Sequence, residues 1–148
     1  MRQTLLIHAE IEHVTHIIAE SNMFLPLRLK CTQCREIYPN LIMLDPNEKY
    51  QIKSSRGEAN VVLSCKFCKK DANIDLIELR EYKIDEPVQG EISFEFAIIE
   101  CRGAEITEFE PMGPFIINGI EADLSDDWCE VLDNGTCLSM LNLKGSVK

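Results

Sequence analysis

Hydrophobic and polar positions alternate along most of this chain with the two-residue period of strands that bury one face. Leu5, Ile7, Ala9 and Ile11 interleave with Leu6, His8, Glu10 and Glu12, which predicts a first strand. Leu25, Leu27, Leu29 and Cys31 then alternate with Pro26, Arg28 and Lys30, and Pro26 suits a strand opening or an edge. Tyr38-Pro39-Asn40 and Asp45-Pro46-Asn47 read as turns around the apolar Leu41 to Leu44. Tyr50 to Lys53 reads as a short strand, Ser54 to Glu58 as a loop, and Val61 to Leu63 as a strand leading to Cys65. Ile74, Leu76, Ile77 and Leu79 fit strand or helix equally by pattern, and their place after a knuckle-type turn favours a returning strand.

The cleanest alternation sets Ile92, Phe94, Phe96 and Ile98 against Glu91, Ser93 and Glu95. That strand continues through Cys101 to Arg102-Gly103 and is followed by Ile106 and Phe109 before Pro111-Met112-Gly113-Pro114. The opening stretch has a similar plan, with Val14 and Ile17 trailing the first strand, so the chain reads as two echoing halves. Phe115 to Ile120 predicts one further strand, Asp123 to Asp127 a single capped helical turn, and residues 144–148 a loose tail. Helical periodicity is scarce. The expected fold is all-β: a single domain over residues 1–148, built as a sandwich or distorted barrel of two similar halves.

Composition narrows the partners. With 148 residues and 45% hydrophobic content the chain can bury a sizeable core without a low-complexity run. Its net charge of -10 argues against general nucleic-acid binding and against docking on an anionic membrane. His8 and Glu10 interrupt the short apolar run Leu5 to Ile7, so no secretory signal is read there, and no apolar stretch reaches membrane-spanning length. Seven cysteines then point to a reducing compartment, and the expected location is cytoplasmic.

Four of those cysteines carry the candidate chemistry. Cys31-Thr32-Gln33-Cys34 and Cys65-Lys66-Phe67-Cys68 are two CxxC pairs separated by a cysteine-free interval. Each pair can grip one metal from a tight turn, and two supply the four sulfurs of a tetrahedral zinc site. Because each follows a predicted strand, two facing hairpin knuckles would hold a single Zn(II). Four protein ligands leave no position for a reactive water, so the site reads as structural. The rival, a thioredoxin-like redox pair, requires a helix N-terminus in a βαβ setting that the pattern does not supply. Cys101, Cys129 and Cys137 remain, and are expected as buried or bystander thiols. Asn134-Gly135 reads as a turn.

Residues 28–70 hold nine bases (Arg28, Lys30, Arg35, Lys49, Lys53, Arg56, Lys66, Lys69 and Lys70) against four acids (Glu36, Asp45, Glu48 and Glu58), so the remainder of the chain is net -15. A zinc held by four thiolates is formally -2, and neutralising that charge accounts for the bases before any acidic partner is invoked. Phe67 within the second turn either shields the site or meets a partner. His8, His13 and His16 do not share one strand face, so they are not read as a second metal site. The carboxylate pairs Asp126-Asp127 and Glu108/Glu110 read as solvated surface. No phosphate-binding glycine loop, nucleophile elbow or HExxH helix is present, and the chain is expected not to be an enzyme.

Leu29 to Ile37, the Ser55-Arg56-Gly57 loop before Cys65 to Cys68, and Glu100 to Gly103 with Phe109, Pro111 and Phe115 together resemble the eukaryotic CXXC-motif-containing zinc-binding proteins. The likeness covers roughly residues 3–130. It implies an all-β fold of two similar halves, one zinc on Cys31, Cys34, Cys65 and Cys68, and no established catalytic activity. Arg35 departs from the glycine that commonly follows the first pair, and the stretch from Glu121 to Trp128 is shorter than usual with a different C-terminal end. The reading is a non-enzymatic zinc-binding protein with one Zn(II) per chain and a protein partner. The alternative is a metal-handling or thiol-redox protein that exchanges zinc or another soft metal.

Overall fold

The computed structural model describes residues 1–148 apart from Ser54, Ser125 and Asp126. The centre of the helical turn expected over residues 123–127, Asp126 of the carboxylate pair, and the start of the loop at Ser54 lie outside the described residues, while Asp123, Leu124 and Asp127 are not helical. Those described form fifteen strands and no helix. The first half holds β1 (Arg2–Glu12), β2 (His16–Ala19), β3 (Leu25–Cys31) and β4 (Ile42–Leu44), followed by the short β5 (Tyr50–Gln51) and β6 (Glu58–Ala59). Then come β7 (Val61–Ser64), β8 (Asp71–Leu79), β9 (Tyr82–Lys83), β10 (Gly90–Arg102) and β11 (Ala104–Phe109). The chain ends with β12 (Phe115–Ile117), β13 (Ile120–Ala122), β14 (Trp128–Val131) and β15 (Cys137–Val147).

A six-stranded antiparallel sheet in the order β14-β15-β1-β10-β8-β7 curls into a half-barrel around the core. Bulges at Leu5/Leu6, His8/Glu10 and Ile98/Ile99 provide the local irregularities that bend long strands. Two smaller sheets, β11-β3-β4 and β13-β12-β2-β9, and the two-stranded β5-β6 accompany it. The inward residues Leu5, Ile7, Ile17, Leu27, Ile99 and Phe115 are completely buried. Phe96 lies at the centre of an aromatic group, with ring centroids 6.2 Å from Phe94, 6.2 Å from Phe109 and 5.9 Å from Phe115.

The strand connections are palindromic. Outward from the central β1-β10 pair, β15 then β14 follow on one side, and β8 then β7 on the other. Strand β2 pairs with β12 as β11 pairs with β3, and β13 flanks β12 as β4 flanks β3. Even the joints match: His13 (φ 61°) turns β1 into β2, and Gly103 (φ 80°) turns β10 into β11. The two halves expected from the hydrophobic pattern are therefore a relation of connectivity.

Gly103 is at once left-handed and crowded. A Cβ there would lie 2.3 Å from the Asp71 carbonyl oxygen and 3.0 Å from the Ala72 Cα. Gly103→Ala is expected to destabilise the protein by about 2 kcal/mol or more, read from the urea midpoint, because both the positive φ and the clash with backbone count against alanine.

Several expectations need correction. Residues 144–148 are not a loose tail: β15 pairs with β1 through Val147, and Lys148 and Thr4 exchange backbone hydrogen bonds of 2.9 and 3.0 Å. The single strand expected over Phe115 to Ile120 is a hairpin, split by Asn118 (φ 48°) and Gly119 (φ 81°). Cys129 and Cys137 are not free thiols but pair as a disulfide across the β14-β15 hairpin, with Cα atoms 6.6 Å apart. Their register explains it: Cys137 faces Val131 and Cys129 faces Ser139, so the cysteines are diagonal neighbours.

Candidate metal centre

Each CxxC pair occupies the turn at a strand end, and the two turns are built alike. Cys31 closes β3 and Cys65 follows β7. In the first knuckle the Arg35 N-H donates to the Cys31 carbonyl at 3.1 Å, and the Cys31 N-H donates to the Glu36 carbonyl at 2.9 Å. In the second, the Lys69 N-H donates to the Cys65 carbonyl at 3.0 Å, and the Cys65 N-H to the Lys70 carbonyl at 2.9 Å. Both turns close through a left-handed residue, Arg35 at φ 68° and Lys69 at φ 66°. Glycine is the easier residue there, and this chain instead places two cations in that conformation at a cost of about 1 kcal/mol each.

This geometry aims backbone N-H groups at sulfur. The N-H of Cys34, then of Gln33, holds the Cys31 thiol down at about 6 against the opposing effect of burial. The N-H of Cys68, then of Phe67, lowers Cys65 in the same way, and the Phe67 nitrogen lies 3.4 Å from the Cys65 Sγ. Although the N-H of Glu36 works downward on Cys34, burial and the neighbouring Cys65, Cys68 and Cys31 sulfurs push Cys34 up to about 12. Crowding four sulfurs allows some to ionise at the expense of others.

The four Sγ atoms lie within 4.8 Å of one another, and the contacts between knuckles, Cys31 to Cys68 and Cys34 to Cys65, are both 3.6 Å. With zinc-sulfur bonds of about 2.3 Å, the edge of a tetrahedron is about 3.8 Å, so this donor set fits a zinc ion with little movement. Cys31 and Cys65 are buried and Cys34 and Cys68 half-buried, so one sulfur of each pair faces outward. Neither pair starts a helix, unlike a thioredoxin-type site.

Around the rim, Arg35 reaches Glu105 at 3.7 Å, and the Lys69 Nζ donates to the Lys66 carbonyl at 3.0 Å. Ile37 and Phe67 are 49% and 60% exposed, leaving an apolar residue uncovered beside each knuckle. The histidines are occupied separately. His8 lies between the Ser93 and Ser146 hydroxyls, His13 meets the Cys137 carbonyl, and His16 meets Glu81. Cys101 stays apart from the cluster, buried, with its thiol donating to the Gln3 Oε1 at 3.3 Å, and burial pushes it up to about 12.

One residue of the centre escaped the sequence reading. Tyr38, assigned there only to a turn, is buried beside the cluster, and its hydroxyl has no hydrogen-bond partner. Its burial follows from the backbone bridge between Ile37 and Lys30, which no local sequence pattern announces.

Comparison with known proteins places the centre among relatives. The family described as CXXC motif containing zinc binding protein, eukaryotic, matches residues 4–148. A UPF0587 protein of Schizosaccharomyces pombe is 30% identical over 95% of this chain and 94% of its own length. The mouse CXXC motif containing zinc binding protein is 28% identical over 95% of this chain and 80% of its own. Among solved structures, a hypothetical protein from Plasmodium falciparum superposes with a TM-score of 0.85 at 23% identity, covering 100% of this chain and 99% of that one. No helix among the described residues is long and apolar enough to cross a membrane.

Proposed function

Because the chain belongs to the eukaryotic family of CXXC motif containing zinc binding proteins, we propose that Cys31, Cys34, Cys65 and Cys68 hold one Zn(II) as a structural clasp. The surface fixed by that clasp is then a docking face for a protein partner. The observation that carries the first half is the convergence of four sulfurs from two like-built turns. A zinc so held has its four positions filled by protein, so its chemistry is to neutralise thiolates and join β3 to the β7-β8 hairpin, not to activate water. The exposed Phe67 and Ile37 and the nearby Arg35, Lys66 and Lys69 support the second half, since an aromatic, an aliphatic residue and flexible cations around a rigid point suit protein recognition.

A metal count on the purified protein tests the clasp. One zinc per chain is expected, falling to less than a tenth of that when Cys34 and Cys68 are both changed to Ser. Undiminished zinc in that variant would reject the assignment. Phe67→Ala is expected to keep its zinc yet lose the partner recovered by the intact protein in a pull-down.

The second reading, in which the cysteines pass metal to another thiol, is favoured by the half-buried Cys34 and Cys68, one from each knuckle. An incoming thiolate would meet those sulfurs first. Rapid loss of zinc to a mild chelator without loss of fold would select this reading over the structural one.

A further inference from the structure

Strand β15 is paired on both sides only in its first part. Ser139 and Met140 lie between β1 and β14, whereas residues 144–147 pair with β1 alone among the described residues. Asn142 marks the break: its φ is 54°, and its N-H donates to the Asp127 Oδ1 at 2.9 Å. Beyond it the direction of the backbone groups follows from the ladder. Lys148 and Thr4 exchange hydrogen bonds of 2.9 and 3.0 Å, so Ser146 and Lys144 also face β1, and the N-H and C=O groups of Gly145 and Val147 turn away from it, along the open edge.

Beside that edge runs a groove of about 610 Å³ whose walls are two continuous stretches, residues 107–111 and 143–147. Strand β11 is itself an edge strand, with β3 on one side only. Earlier along β11 a side chain closes the edge: the Ile106 N-H donates to the Gln3 Oε1 at 2.8 Å, and the Gln3 Nε2 donates to the Ile106 carbonyl at 2.9 Å. Gly145 pairs with the buried Ile7, so a Cβ there would point inward, and it would stand 2.3 Å from the Phe109 carbonyl oxygen. The end of β11 therefore backs β15 from the inner side, while the edge itself carries no strand. Phe109, Pro111, Leu143 and Val147 give the groove its apolar share, and two acids, Glu108 and Glu110, outnumber the one base, Lys144. Both carboxylates are exposed. Neither forms an ion pair among the described residues, nor does Arg28, the register partner of Glu108 on β3.

We propose that this groove receives an extended peptide segment in which basic and apolar residues alternate, added as a strand to the open edge of β15. The backbone groups of Gly145 and Val147 supply the hydrogen bonds of such an addition. The period of two then sorts the side chains of the guest. One set meets Phe109 and Pro111, and the other stands beside Glu108 and Glu110, where a cation is favoured and an anion repelled. Acids along an edge also serve simply to keep other strands away. The two roles separate on a basic strand, which a receptor binds in register and a guard does not. The site is independent of the zinc reading, since none of its residues comes from either knuckle.

The test titrates the full chain into a fluorescein-labelled peptide, Lys-Val-Lys-Val-Lys-Val amide, and reads binding by anisotropy at low ionic strength. The peptide is expected to bind, its Glu-Val counterpart to bind at least about tenfold more weakly, and the Gly145 and Val147 amides to shift most in the NMR spectrum. Glu108→Lys with Glu110→Lys should weaken binding by about tenfold or more, whereas Glu86→Lys with Glu121→Lys, exposed acids elsewhere, changes the net charge equally and should alter it by no more than about twofold. The same peptide N-methylated at alternate residues, made in both registers, should bind about tenfold more weakly in at least one of them, because an N-H that joins the ladder is gone. Absence of binding by the basic peptide would overturn the proposal. So would equal losses in the two double variants, which would reduce the effect to general attraction by an acidic chain, and so would undiminished binding of both N-methylated forms, which would exclude strand addition.

Discussion

Stripping the metal is expected to melt the knuckle end of the molecule while the core around Phe96 stays folded. Four-thiolate zinc binding is worth on the order of 10 to 16 kcal/mol in isolated zinc-finger peptides, whereas a whole domain is stable by about 5 to 15 kcal/mol. The part of this protein least held by packing should therefore depend most on the metal. That part is identifiable: each knuckle has two backbone hydrogen bonds of its own, and each bears an exposed apolar residue, Ile37 or Phe67, with little packed against it. Phe96, by contrast, is fully buried among three other phenylalanines. Hydrogen exchange of the Cys31, Arg35, Cys65 and Lys69 amides should become fast in a strong chelator, while Ile7, Phe96 and Ile99 stay protected. Equal protection before and after chelation would show that the knuckles stand without metal.

Acidification should have the same effect for a related reason. Metal binding requires thiolates, so it expels whatever protons the free cluster carries, and apparent affinity falls about tenfold per pH unit for each proton expelled. At neutral pH Cys34, pushed up to about 12, contributes such a proton, whereas Cys31, held at about 6, is largely ionised already. Below about 6 Cys31 also takes up its proton, and the loss of affinity with falling pH should steepen there. A chelator competition series across pH measures that slope.

The largest effect away from the metal is expected at Phe96. Its ring is 0% exposed, lies parallel to Phe109 within 10°, and meets Phe94 and Phe115 edge-on. Phe96→Ala removes a side chain from the middle of the curled sheet, and of the three remaining rings Phe94 is held on the same strand while Phe109 and Phe115 come from strands of the two smaller sheets, so they cannot all collapse into the space. A loss of about 3 to 5 kcal/mol is expected from the urea midpoint at unchanged denaturant slope. A cost below about 1 kcal/mol would mean that the aromatic group is not the keystone of the core. Zinc stoichiometry should remain near one, because none of the four cysteines lies on β10.

The candidate site was legible because its chemistry is local. Two cysteines three positions apart at a strand end reach one point whatever the rest of the fold does, and the turn after each pair repeats. The long strands were legible for a similar reason: Ile92, Phe94 and Phe96 declare their face by alternation, and β10 lies where they place it, but a bulge at Phe96 hands the buried face on to Ala97, Ile99 and Cys101 and turns Ile98, expected inward, to the other side. Short pairings were not. Asn118-Gly119 is a strong hairpin signal, but the isoleucines on both sides masked it as one continuous apolar run. Strand β15 was missed because Leu138 to Leu143 is split by Ser139 and Asn142, and its pairing with β1 is a contact across nearly the whole chain that no local window contains. The Cys129-Cys137 bridge depends on that same hairpin, so it could not be seen without it. Tyr38 was hidden because a Tyr-Pro-Asn run announces a turn, while its burial comes from a bridge to β3.

The palindromic connectivity gives the zinc joint a counterpart within the same chain. Where the first knuckle follows β3 and its Thr32 N-H reaches the Gly103 carbonyl, the matching β12-β13 turn offers Asn118 to the equivalent joint at His13. That one side chain accepts from the Thr15 and His16 N-H groups at 2.9 and 3.0 Å and donates to the His13 carbonyl at 3.2 Å. Where the second knuckle caps β7-β8, the matching β14-β15 hairpin carries the disulfide. One architecture is thus fastened twice, at one pole by four cysteines placed to share a metal ion and at the other by an amide and a covalent link. The ion-free pole is an internal standard for how far the scaffold alone can hold such a joint, and only the other pole can be opened by taking something away.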